Sequence, residues 1–524
     1  MTSSCDPAPL PLAATPASLI AAWPRQRPLI ALLSAHDPLH PSPWARWSIF
    51  TQPVGTLRLT SASANPRPIP GNTPEYHVRY LGPPDAAIEH ALAGATTADD
   101  PIAPLQSILR ATPSPAASRS DDPDTPPFAG GWIGWLGYDL GHHIEPASRS
   151  PAAGSNSNDD RAWPLLEWHR CPAAYIHDAW TNRWWIAGDP DARAALPQPP
   201  FVPDADPSPF HLGPMTSATG RDGYESAVRR TIDHIEAGDI FQANIAHRLT
   251  GSFRGSARAA FLALAARANP WYGAYLERPA AAEAGDQRRI IASISPELFL
   301  DRRGASGRVV TRPIKGTRPA RPDRPDLELD LRASAKDIAE LVMIVDLMRN
   351  DLGRVCRAGS VVVEELRAIE RHGAHASTGV LHGVATVAGV LREDADLADL
   401  LRAAFPPGSV TGAPKIRAMQ IIDELEPVPR GPYCGAIGYV SDSGRAAFNV
   451  AIRTACITAD PLPPESPRDE IADGLLDYHA GAGIVAESDP TTEWRETLDK
   501  AATVLSLASP ADADTAGVAA TTPS

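Results

Sequence analysis

Past residue 218 the apolar residues keep changing period, and the order of the changes argues against a doubly wound parallel sheet. Tyr224, Val228, Ile232 and Ile235 recur at helical spacing, and Gly238 follows as a stop. Residues 240–249 (IFQANIAHRL) then alternate, with Phe241, Ala243 and Ile245 on one face and Gln242, Asn244 and Arg248 on the other. Leu341, Ile344, Val345 and Met348 predict a helix over 336–348, with Glu340 near its start. Residues 435–457 read as a hairpin: a strand ending at Val440, a turn at Ser441–Gly444, and a second strand setting Phe448, Val450 and Ile452 against Asn449, Ala451 and Arg453. Helices and strands mix without a βαβ rhythm, and no repeat, P-loop or GxGxxG fingerprint occurs. The expectation is an α+β protein with largely antiparallel sheet.

A chain of 524 residues is too long for one hydrophobic core. Its 55 prolines show where it divides. Residues 112–127 and 146–160 read as surface loops or insertions, and the Pro-rich stretch 186–217 as a boundary. We therefore expect an N-terminal domain over 1–217, a catalytic domain over 218–508 and a disordered tail over 509–524. A net charge of −14 argues against nucleic acid or an anionic membrane surface as partner. No run reaches the roughly 18 apolar residues of a spanning helix, and the N-terminus lacks a signal-like pattern. The five cysteines are scattered without a CxxC pair, so neither a disulfide framework nor a zinc site is expected. The chain reads as a cytoplasmic protein.

The segment 313–319, Pro-Ile-Lys-Gly-Thr-Arg-Pro, sets Lys315 two residues after a proline and directly before a glycine. Its approach is stiff and its exit free, which fixes the amine, and Gly316 lets a ligand come close to backbone N–H groups. Held out of water, such a lysine is a nucleophile; in a solvated turn it is only a surface charge. Glu493 and Glu496 lie one helical turn apart and share a face, with Lys500 four residues beyond Glu496. Together with Glu340 they form a set that would hold a hard cation, most often Mg2+. An exposed helix with an ordinary ion pair has the same pattern. Arg453, beside Ala451 and Ala455, has room to grip a carboxylate bidentately, unless it merely solubilises an edge strand. Ala480-Gly481-Ala482-Gly483 offers backbone N–H groups to another carboxylate. Glu297 is a general acid if burial raises its pKa, and a surface carboxylate otherwise. His382 stands among Val380, Leu381 and Val384 as a core histidine would.

The segments PIKGTRP, AELVMIVDLMRNDLGRV, GSVTGAPKIRAMQ, YCGAIGY, AIRTA, AGAGIV and SDPTTEWRETLDK follow one another within residues 222–508. In that order they resemble the chorismate-utilising enzymes, and GGWIGWLGYDLG at 130–141 resembles the matching N-terminal region. The resemblance implies antiparallel sheets packed as a sandwich-like core flanked by helices. It implies that Glu340 and Glu496 hold Mg2+, with Glu493 nearby through water, and that the ion binds the ring carboxylate of chorismate. Tyr433, Arg453, Lys500 and the backbone of Gly481, Ala482 and Gly483 would hold the substrate's carboxylate ends. Gly316, Thr317, Ser409 and Gln242 would line the site. Glu297 would protonate the departing 4-hydroxyl, and His382 would sit beside the ring.

Two positions choose the reaction within the family. Members that add water to the ring, the isochorismate and salicylate synthases, have lysine where this chain has Gln242. Anthranilate synthases typically have a small residue where it has Lys315, and aminodeoxychorismate synthases have lysine. The resemblance thus implies amination of chorismate to 4-amino-4-deoxychorismate, a precursor of 4-aminobenzoate and folate, with Lys315 as nucleophile. Anthranilate synthase component I is the nearest rival; an isochorismate-type enzyme and a catalytically silent chorismate-binding subunit stand further off. None of the five cysteines lies in a Gly-rich nucleophile elbow, so glutamine would need a separate amidotransferase subunit to supply ammonia. Ala320 stands where family members commonly carry arginine. The N-terminal domain of the family can hold tryptophan, and Leu32-Leu33-Ser34 fits such a pocket.

Overall fold

A computed structural model describes residues 5–35, 42–61, 76–93, 100–111, 120–150, 161–201, 209–279, 286–321, 323–373, 379–461, 463 and 466–509. Most of the expected insertions at 112–127 and 146–160, the centre of the 186–217 stretch and nearly all of the expected tail lie outside these residues. The fold is α+β. Its strands form two antiparallel sheets, one of 13 strands and one of 11 among the described residues. Ile30, Ile49, Ile176 and Ile291 of the larger sheet meet Ile133, Trp135, Ile437 and Tyr439 of the smaller in one buried layer. Helices cover the outer faces, with Phe261 and Leu264 against the larger sheet and Leu341, Ile344 and Leu401 on the side of the smaller.

Both sheets run without a break across residue 217. In the larger, Ile30–Leu33 pairs with Tyr272–Leu276. In the smaller, Gly131–Leu136 pairs with Ala436–Ser441. The Pro-rich stretch therefore marks a change in sequence while the two halves share their sheets.

The expected helices form. Gly220–Glu236 buries Tyr224 and Val228, and the chain turns away at Gly238 with φ +82°. Ala335–Gly353 begins at Ser334, whose hydroxyl accepts the Asp337 N–H, and buries Leu341, Ile344, Val345 and Met348. Each such side chain contributes about 1.5–3 kcal/mol of burial, which fixes the rotation of the helix and so the direction of Glu340.

Two local expectations need correction. Phe241 is 71% exposed and lies just ahead of the strand Gln242–Ser256, which is buried on both faces over its first half because it sits inside the sheet with a helix-covered side. The hairpin also ends early. Ala446–Val450 pairs in the smaller sheet, while Thr454–Ala459 pairs in the larger one. Between them the chain crosses from sheet to sheet, and Arg453 takes φ +50°. Arg453 is therefore not a strand residue.

Candidate active site

Sheet register assembles the first part of the site. Gln242–Ser256 runs antiparallel to Glu470–Ile484, with Asn244 opposite Gly483 and Ala246 opposite Gly481. A Cβ on Gly483 would lie 2.4 Å from Gln242 Nε2 and 3.0 Å from Lys315 Nζ; one on Gly481 would lie 2.9 Å from the Tyr433 hydroxyl. Glycine stands there because those polar groups press on the strand. Beyond Ile484 the chain turns into the helix Pro490–Leu505, capped by Asp489. It carries the acidic set, Glu493 buried and Glu496 exposed: Ser488 Oγ donates to Glu493 Oε1 at 2.7 Å, and Lys500 Nζ bridges Glu496 Oε1 at 2.7 Å and the Gly481 carbonyl at 2.8 Å.

Lys315 lies on the strand Ile314–Pro319, whose pairing with Val380–Val390 shifts register between Ile314 and Thr317. Gly316 takes φ +82°, and a Cβ there would meet Asp337 and Leu331 at 2.8 Å, so only glycine fits. The Lys315 side chain is largely buried, its Nζ 3.5 Å from Glu340 Oε2. Thr317 Oγ1 lies 2.9 Å from His382 Nδ1. Burial, the neighbouring His372 and Arg453 hold the His382 pKa well below its usual value, so the ring is neutral. Its Nε2 has no hydrogen-bond partner among the described residues, and neither has Gln242 Oε1.

Glu297 is buried. Burial raises its carboxyl to about 7, against the pull of the Ser409 hydrogen bond and of Lys315 and Lys500. Ser409 Oγ donates to Glu297 Oε1 at 2.5 Å. A carboxyl held there keeps its proton to near-neutral pH and suits a general acid. Arg453 lies within the electrostatic reach of Glu297 and Tyr478. Burial works against its charge, which a bound carboxylate would restore to favour.

Tyr433 is buried with its ring stacked on His479, centroids 5.1 Å apart. Its support was not legible in the motifs. Arg430, fully buried, reaches both oxygens of Glu426 at 2.6 and 2.8 Å and the carbonyls of Val410 and Asn244. This pair locks the turn before Tyr433 to the Gln242 strand; an arginine following a glutamate by four residues was its only trace in the sequence. Cys434 follows Tyr433 in the same turn, at φ +61°. Ala320 packs in a small cluster with Leu331 and Leu381.

Among the described residues no three Asp, Glu, His or Cys side chains converge closely enough to enclose a metal ion. The donors nonetheless suit Mg2+, being carboxylate oxygens only. Burial and the adjacent Glu496 charge raise the Glu493 carboxyl, a repulsion that a divalent cation would relieve. Lys500, Lys315 and Lys336 outweigh burial at Glu496 and hold its carboxyl below the usual range. The acidic and basic groups thus act on one another as a single cluster.

Away from this site, Leu32, Leu33 and Ser34 line a cavity between the sheets together with Trp44, Trp271 and Tyr439. No helix is long and apolar enough to cross a membrane among the described residues.

Comparison with known proteins gives the family and the fold. The family model for chorismate binding enzymes covers residues 77–506. Anthranilate synthase component 1 of Streptomyces coelicolor is 36% identical over 478 residues, 85% of this chain and 83% of that protein. Aminodeoxychorismate synthase component 1 of Escherichia coli is 36% identical over 421 residues, covering 78% and 83%. The crystal structure of anthranilate synthase component I from Streptococcus pneumoniae superposes with a TM-score of 0.64 at 26% identity, over 88% of this chain and 92% of that one. The menaquinone-specific isochorismate synthase of Escherichia coli shares the fold, with a TM-score of 0.62 at 18% identity, covering 96% and 93%.

Proposed function

Because this chain belongs to the family of chorismate binding enzymes and uses chorismate, we propose that it is the aminating component of an aminodeoxychorismate synthase. The observation that carries this reading is Lys315: its largely buried amine lies beside Glu340, within electrostatic reach of buried Glu297 and of the exposed Glu496, and it faces the glycine strand. The alternative, an anthranilate synthase, is supported by relatives of equal identity. That reaction needs no enzyme nucleophile, which leaves Lys315 without a chemical task.

In the proposed reaction the Lys315 amine attacks C2 of chorismate. The ring double bonds shift, the C4–O bond breaks, and Glu297 supplies the proton with which water departs. Ammonia attacks C4, the double bonds shift back, the C2–N bond breaks, and Lys315 is released as an amine. The enolpyruvyl group stays in place. Arg453, Tyr433 and Lys500 would hold carboxylates, with the unpaired Gln242 Oε1 and His382 Nε2 facing the ligand. Glu340 and Glu496 would hold Mg2+, with Glu493 reaching it through water, and the ion would neutralise the ring carboxylate. Ammonia would come from a separate glutamine amidotransferase subunit, and free ammonium would replace it.

The test is product identification by mass after incubation with chorismate, ammonium and Mg2+, with and without an aminodeoxychorismate lyase. Formation of aminodeoxychorismate, converted by the lyase to 4-aminobenzoate and lost in Lys315→Ala, is the expected result. Release of anthranilate and pyruvate by the wild type overturns it.

A further inference from the structure

His382 is fixed from one side by Thr317 and from the other by a histidine that the motifs did not mark. The His372 ring meets it edge to face, with centroids 4.8 Å apart and planes at 87°. His372 in turn lies flat on Trp271, centroids 3.7 Å apart and planes 12° from parallel. His372 is buried, with Glu370 Oε2 3.8 Å from its Nε2 as its carboxylate neighbour.

Trp271 is itself held. Its carbonyl accepts the Ser34 hydroxyl at 2.9 Å, and its side chain walls the cavity between the sheets. Arg312 stacks on Trp44, another residue of that wall, at 4.5 Å and pairs with Glu370 at 2.5 Å. A continuous packed line therefore leads from the inter-sheet cavity through Trp271 and His372 to His382, and on to Thr317, two residues from Lys315.

We propose that His372, clamped by Trp271, is a positioning residue that sets the tilt of the His382 ring against the substrate. It rests on the use of chorismate by this family and not on which amine product leaves. A planar ring at 372 is what the clamp requires. Loss of the ring lets His382 turn, and a misplacement of about 1 Å beside a reacting ring is worth up to about 100-fold in rate.

The experiment follows chorismate consumption, whatever the product, in His372→Ala, Trp271→Ala, His372→Phe and His382→Gln, and in His372→Ala combined with His382→Gln. A wild type that does not consume chorismate defeats the functional reading and is distinct from the outcomes below. We expect His372→Ala and Trp271→Ala to lower kcat by roughly 10- to 100-fold with KM changed less than about threefold, and His372→Phe to restore most of the loss. In the His382→Gln background His372→Ala should cost nothing further, since it acts only through that ring. Histidine 15N spectra should show the His382 resonances, identified by their absence in His382→Gln, shifted in His372→Ala and nearly unmoved in His372→Phe. An undiminished loss in the His382→Gln background, or unchanged kcat in His372→Ala, overturns the proposal and leaves His372 a packing residue.

Discussion

Replacing Glu297 by glutamine should make the protein more stable and less active, with a pH dependence that identifies the cause. Burial raises this carboxyl from 4.5 to about 7. Between those values the unfolded chain has released the proton that the folded protein keeps. The unfolded state then binds fewer protons, so stability falls as pH rises through the window. A tenfold change in proton affinity is worth about 1.4 kcal/mol, so the buried carboxylate costs about 3 kcal/mol at pH 8 and under about 1 kcal/mol at pH 5. Glutamine has the same shape, carries no charge and still accepts the Ser409 hydroxyl. Glu297→Gln should therefore match the wild type within about 1 kcal/mol at pH 5 and exceed it by about 3 kcal/mol at pH 8, read from urea unfolding curves at both pH values. Its turnover should fall by about 100- to 10,000-fold, as for loss of a general acid. A stability difference that is the same at pH 5 and pH 8, or that favours the wild type at pH 8, refutes the argument.

Other substitutions probe the rest of the cluster. Ser409→Ala removes a hydrogen bond that favours the Glu297 carboxylate, about 1.5–3 kcal/mol, so the alkaline limb of the kcat/KM profile should move upward by about one to two pH units. Gly483→Ala puts a methyl against Gln242 Nε2 and Lys315 Nζ; kcat/KM for chorismate should drop about 100-fold, with far less effect on the thermal midpoint because the groups displaced are side-chain ends. Glu426→Gln leaves Arg430 buried without its carboxylate and should cost about 3–5 kcal/mol in denaturant unfolding.

What could be read from the sequence, and what could not, follows from how far each signal reaches along the chain. Helix Ala335–Gly353 and the acidic face of Pro490–Leu505 were visible because apolar spacing and carboxylate spacing are both local. The convergence of Lys315, Glu340 and Glu496 was not visible in spacing; the family resemblance supplied it, since the contacts join segments far apart in sequence. The hairpin was misread at its second strand. Alternation continues through 448–453, but the pairing partner changes sheet at Ala451, and period 2 does not say which sheet a strand serves. The Arg430–Glu426 pair and the Trp271–His372 stack escaped because a buried charge and a buried imidazole look like surface residues until their surroundings are known.

The crossing at Arg453 also explains why its conformation is strained. Arg453 at φ +50° and Cys434 at φ +61° are both non-glycine residues in the left-handed region, and Cys434 N donates to Ala451 O at 2.9 Å, two residues before Arg453. Each such residue costs on the order of 1–3 kcal/mol where glycine would not. Glycine would also remove a partly buried cation whose charge desolvation disfavours. Both gains offset the roughly 0.5–1 kcal/mol that glycine adds to the entropy of the unfolded chain. Arg453→Gly should accordingly unfold at the same or higher denaturant concentration than the wild type, while KM for chorismate rises at least about 10-fold through loss of a carboxylate contact. A loss of about 2 kcal/mol or more would mean that the guanidinium holds the two sheets together. Retained stability with lost affinity would mean that the strain persists because the ligand, and not the fold, requires an arginine at the crossing.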